Sequence, residues 1–147
     1  MGDFKTYNTS GGFDQYLYYQ VGDVIVARNG VQGKIVNEIS DKLKEDFHGS
    51  LPMYSNTSKV YFKKSDEGDH SIEQARIYKY RKVAYDFDWG HAHENFRKGI
   101  VHVHEWHYNS KGKWVRARTP RGLNIDEIKE YGELIKLANP NVKFRYF

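Results

Sequence analysis

The chain has no cysteine and only three prolines among its 147 residues. Without thiols there is no disulfide, no thiol nucleophile and no cysteine-based zinc or iron–sulfur site. Apolar runs are short, and none approaches the roughly 20 residues a helix needs to span a bilayer. The opening stretch, MGDFKTYNTSGGFDQ, lacks the charged and apolar regions of a secretory signal. These absences predict a soluble, intracellular protein, with the cytoplasm as its default location and no membrane partner. Internal repeats, low-complexity tracts and linkers are also missing. The length fits one domain over residues 1–147, with 1–15 a poorly ordered lead-in. A net charge of +4 is modest but compatible with nucleic acid or an acidic partner protein.

Aromatics are plentiful: twelve Tyr, eight Phe and three Trp. With so little proline, that composition predicts an ordered, strand-rich fold. In VGDVIVARNGVQGKIV, residues 21–36, Val24 and Val26 alternate with Ile25 and Ala27, and Asn29-Gly30 predicts a two-residue hairpin turn. Gly33 predicts a bulge or a close backbone approach. The Gly22-Asp23-Val24 start and the Gly30-x-x-Gly33-Lys34 turn resemble the opening hairpin of SH3-like barrels, including the KOW motif of ribosomal and transcription proteins. That likeness implies an SH3-like N-terminal hairpin.

Residues 40–47, SDKLKEDF, predict a short helix, and 48–58 a loop. Strands are predicted at 59–64, at 75–89 as one long strand bent near Lys82, at 99–108 and at 113–118. Residues 124–139 form the best helical pattern. Asn124 is a good N-cap with Glu127 three residues on, Ile128, Tyr131, Ile135 and Ala138 make one apolar stripe, and Pro140 stops it. A last strand is predicted at 141–147. The order implies an α+β fold, an antiparallel β-sheet packed against one main C-terminal helix.

Five of the seven histidines fall in GHAHENFRKGIVHVHEWHY, residues 90–108. Side chains two apart in a strand share a face. Val83, Tyr85 and Phe87 should therefore oppose Asp86 and Asp88, and Val101 and Val103 should oppose His102, His104 and Trp106. The apolar faces must pack on the core, which puts Asp86, Asp88, His102 and His104 on the non-core side. If the two strands pair, these four become cross-strand neighbours beneath a loop carrying His91 and His93. Carboxylates and imidazoles so grouped can hold a divalent metal (Zn, Mn or Mg) or transfer protons. Structural Asp–His hydrogen bonding is the bland alternative.

His102-Val-His104-Glu105-Trp106-His107 is similar to the His-x-His-x-Asp-His of metallo-β-lactamase-type hydrolases, but Trp106 replaces the aspartate. The cupin, two-histidine phosphoesterase, His-Glu-x-x-His, P-loop and nucleophile-elbow patterns are likewise incomplete or absent. Over 76–137 the layout resembles small TumE-type toxins of toxin–antitoxin pairs, matching at Asp86/Asp88, His91/His93, His102/His104 and the Asp126-Glu127 helix start. Ile100-Val101 departs from that pattern, and small phage and mobile-element proteins fit it equally.

Basic side chains surround the cluster: Arg76, Arg81, Lys82, Arg97, Lys98, Lys111, Lys113, Arg116, Arg118 and Arg121. Interleaved Tyr78, Tyr80, Trp89, Trp106 and Trp114 could stack bases while cations meet phosphates. Two functions follow. One is a binding protein of phage or mobile-element type, recognising nucleic acid or a protein through a Tyr/Trp/His surface that includes His91, His93, Arg97, Trp106, Arg116 and Arg118. The other is a metal-assisted or histidine-based nuclease or phosphodiesterase. There Asp86, Asp88, His102 and His104 would be the catalytic or metal-binding groups, with Arg97 or Arg116 on phosphate.

Overall fold

The computed structural model describes residues 20–38, 47–48, 51–55, 58–65, 68–93 and 95–145. The expected lead-in at 1–15 lies outside them, as does nearly all of the expected helix at 40–47. The described chain is α+β, with a curled sheet and one C-terminal helix. Its strands are β1 (Gln20–Val26), β2 (Gln32–Glu38), β3 (Phe47–His48), β4 (Leu51–Pro52), β5 (Val60–Lys64), β6 (Ile72–Lys79), β7 (Lys82–Asp88), β8 (Ile100–Tyr108), β9 (Trp114–Arg116) and β10 (Lys143–Phe144). The main sheet runs β1-β2-β5-β6-β7-β8-β10, β9 adds to β8, and β3–β4 form a separate pair that takes Phe47 from the expected helix and the rest from the expected loop. It is mixed rather than purely antiparallel, because β2–β5 and β8–β10 are parallel.

Three local expectations are corrected. Residues 75–89 are a hairpin, not one bent strand: Lys79 pairs with Lys82 across a two-residue turn, Tyr80-Arg81. The first hairpin closes through a longer loop in which the Ala27 amide donates to the Val31 carbonyl and the Gly30 amide to the Ala27 carbonyl. Only Gly30 there takes positive φ, as a three-residue hairpin loop requires. The last strand covers two residues of the expected seven and joins β8 in parallel.

One sheet face packs on helix α1 (Ile125–Ala138), which begins with the predicted capping box: the Asn124 side chain accepts from the Glu127 amide, and Glu127 reaches back to the Asn124 amide. Tyr131, Leu134 and Ile135 bury against Phe62, Ile77, Phe87, Val101 and Val103. The other face is buried too. Leu51, Tyr61, Tyr78, Val83 and Trp106 form a second apolar cluster there. Val83 was expected beside Tyr85 and Phe87. The register shifts so that Ile77 faces Tyr85 while Tyr78 faces Val83, and the extra residue, Ala84, turns Val83 to the opposite side.

Gly33 is a close-approach position, because the Phe62 ring occupies the space a Cβ would need. Gly33→Ala should therefore destabilise the protein by about 1–3 kcal/mol, since the added methyl must displace the fully buried Phe62 ring. Urea denaturation checks this, and an unchanged midpoint would refute the close contact.

Candidate metal centre

Strands β7 and β8 pair antiparallel with Asp86 opposite His104 and Asp88 opposite His102. The four residues share one face, as alternation demands, but that face is not open to solvent. Asp86 and His102 are 0% exposed, His104 1% and Asp88 3%. What makes this burial tolerable is countercharge. Arg76, itself fully buried, faces Asp86 across β6–β7. It donates Nε to Asp86 Oδ1 at 2.6 Å, Nη2 to Oδ2 at 3.0 Å and Nη1 to the Leu51 carbonyl at 2.9 Å. Asp86 Oδ2 also accepts from Trp106 Nε1 at 3.1 Å and Arg116 Nε at 2.8 Å. Arg76 and Trp106 are thus internal supports, not the phosphate-binding and base-stacking groups expected. Trp89 is also buried, donating to the Ile72 carbonyl.

Four donor hydrogens occupy Asp86, so it is no metal ligand. Burial opposes its charge, yet Arg76 first and then Arg116 hold its carboxyl below the usual range. Asp88 differs. Burial, reinforced by the charge of Asp86, pushes it up to about 7 against the pull of Arg116 and Arg76. Its Oδ2 accepts from Arg116 Nη2, while its Oδ1 is buried with no hydrogen-bond partner.

The two strand histidines are set in one way. His104 Nδ1 lies 2.8 Å from the Ala117 carbonyl and His102 Nδ1 lies 3.3 Å from the Ile100 carbonyl. A carbonyl only accepts, so Nδ1 carries the proton and Nε2 of the neutral ring presents a lone pair. Both Nε2 atoms are buried without a partner. Burial lowers His102 to about 4, and burial followed by Arg116 and His93 lowers His104. Neutral imidazoles anchored through the far nitrogen are the form in which histidine binds metal.

The loop between β7 and β8 closes over them. A bridge between His93 and Phe96, with reciprocal amide–carbonyl bonds of 2.8 and 2.9 Å, folds it back. Phe96 stacks on His102 with ring centroids 5.4 Å apart, and His93 lies 5.0 Å from His104 by the same measure. His91, exposed, completes a trio with Asp88 and His102 whose ligand atoms lie within 4.8 Å of one another. His104 Nε2 adds a further donor 3.9 Å from Asp88 Oδ2. Among the described residues, the metal-capable trio thus omits the expected Asp86, which is saturated, takes in His91 beside Asp88 and His102, and leaves His104 at its edge. His91 also lines a polar groove of about 570 Å³ with Glu73, Trp89, Lys98 and Asn139.

The remaining expected binding residues divide. Arg116 is half-buried on the two aspartates, whereas Arg97 and Arg118 are exposed. Glu105 and His107 face away, as alternation requires, and Glu105 pairs with Arg121. No protein-family model matches the chain, and comparison with curated proteins and with solved structures yields no match either. No helix among the described residues is long and apolar enough to cross a membrane.

Removing Arg76 takes two of the four donors from the buried Asp86 carboxylate and leaves Arg116 as its one countercharge, so Arg76→Met should cost about 3–5 kcal/mol. Adding Asp86→Asn should recover part of that loss. Chemical denaturation of the double-mutant cycle measures the coupling, and strictly additive losses would refute it.

Proposed function

We propose that the protein is a metal-dependent hydrolase of phosphodiester bonds, with nucleic acid as its substrate class. The observation that carries the reading is the convergence of Asp88, His91 and His102 within 4.8 Å, with Asp88 Oδ1 and His102 Nε2 buried and unbonded. A buried polar atom without a partner costs about 1–3 kcal/mol, and coordination to an ion removes that cost here. Zinc suits the donors best: two of the three are borderline imidazoles, zinc also accepts a carboxylate oxygen, and affinity for such sites rises from manganese and iron(II) to zinc. Magnesium prefers an all-oxygen shell.

Three protein ligands with a further position left for water or substrate is the pattern of catalytic rather than structural zinc. An ion held there supplies Lewis acidity toward a phosphoryl oxygen. Arg116 fixes the orientation of Asp88 through Oδ2, leaving Oδ1 for coordination. The His104 Nε2 lone pair beside Asp88 supplies a proton acceptor and leaves the fourth position open. His91 opens the centre to the adjoining groove, where Lys98 can meet an anion. The likeness to TumE-type toxins at these same strands favours nucleic acid and a role in a phage or mobile element.

Purified protein should bind one equivalent of zinc, and zinc at 100 times its Kd should raise stability by about 2.7 kcal/mol. His91→Ala, which removes an exposed side chain, should weaken binding at least tenfold while leaving the metal-free melting temperature unchanged. Cleavage of labelled DNA and RNA oligonucleotides should need zinc or manganese and disappear in that variant. Unaltered zinc affinity in His91→Ala would refute the centre, and tight zinc binding without cleavage would refute the hydrolase.

A further inference from the structure

At the far end of the β6–β7 hairpin from Asp88, about 20 Å of strand away, the two-residue turn is built from Tyr80 and Arg81. Both have positive φ, 52° and 67°. Turns of this kind favour Asn-Gly, because a Cβ is strained in the left-handed region. The ring held there is fully exposed, at 101%. It borders a groove of about 540 Å³ whose rim carries Lys59, Lys79 and Arg81 against a single acid, Glu130. Among the described residues, none of those three cations is held in an ion pair, and Lys79 lies 5.6 Å over the Tyr85 ring. Ser58 lines the same groove, and its hydroxyl oxygen is buried without a hydrogen-bond partner.

An exposed aromatic face, cations outside any ion pair and an unsatisfied hydroxyl around one groove match the chemistry of a single nucleic-acid strand. Aromatic rings accept any unstacked base, and surrounding cations follow the phosphates. A duplex would bring the phosphates but keep its bases stacked away from the ring. An acidic peptide would use the cations and leave Tyr80 without a role.

We propose that this hairpin tip binds single-stranded nucleic acid, a base stacking on Tyr80 while flanking phosphates meet Lys59, Lys79 and Arg81. The surface is separate from the Asp88–His91–His102 centre and does not depend on its being loaded.

Fluorescence anisotropy with labelled single strands of about twelve nucleotides, measured in EDTA on the full chain, tests this apart from any metal chemistry. The single strand should bind more tightly than the matching duplex, and affinity should fall with salt. Tyr80→Ala should weaken binding about 5- to 100-fold with little change in salt dependence. Lys59→Gln with Arg81→Gln should instead flatten the salt slope by about 1.4. The double variant Tyr80→Asn/Arg81→Gly installs the favoured turn pair, so it should melt at a higher temperature while losing affinity. That outcome separates a lost contact from a lost fold. Equal binding by Tyr80→Ala, duplex competing as well as single strand, or polyglutamate displacing the strand would each overturn the proposal.

Discussion

The buried pair of Arg76 and Asp86 is the constraint around which the second sheet face is organised. An ionised carboxylate sealed inside a protein is tolerated only when it is paired and fully hydrogen-bonded. Asp86 meets that condition through Arg76, Trp106 and Arg116. Arg76 in turn ties the sheet to the β4 segment through the Leu51 carbonyl, which draws Leu51 and its apolar neighbours over this face. Buried on both sides, the sheet offers a dry floor on which Asp88, His102 and His104 can stand.

Asp86 and Asp88 show how environment separates two identical groups. They lie two residues apart on one strand, yet Asp86 takes most of the available positive charge. Asp88 is left with one arginine contact and one bare oxygen. Its pKa is raised by burial and by its neighbour, while that of Asp86 is lowered by Arg76. One aspartate is structural because it is saturated, and the other is available because it is not. The same division runs through the arginines: Arg76 is sealed inside, Arg116 is shared between the two aspartates, and Arg97 and Arg118 stay in solvent.

Where sequence reading went astray, the missing signal was local. Tyr80-Arg81 contains none of the residues that normally mark a hairpin turn, so β6 and β7 read as one strand. Once they are seen as a hairpin, Arg76 falls opposite Asp86 and its burial follows. Trp106 seemed available for stacking because alternation places it beside the histidines. Alternation assigns a face and says nothing about what covers that face. The cover here comes from the β4 segment and from the loop folded at His93 and Phe96, neither of which has a periodic pattern.

Sequence alone determined the local grammar of this protein. The capped C-terminal helix, the β8 strand and the shared face of Asp86, Asp88, His102 and His104 all follow from periods of 3.6 and 2 and from capping chemistry. Tertiary structure decided which of those residues are free. That depends on countercharges brought from β6 and β9 and on a loop that adds His91 to the trio. The reason is physical: alternation is set by each residue's own backbone, whereas burial, pairing and an open lone pair are set by groups distant in the chain.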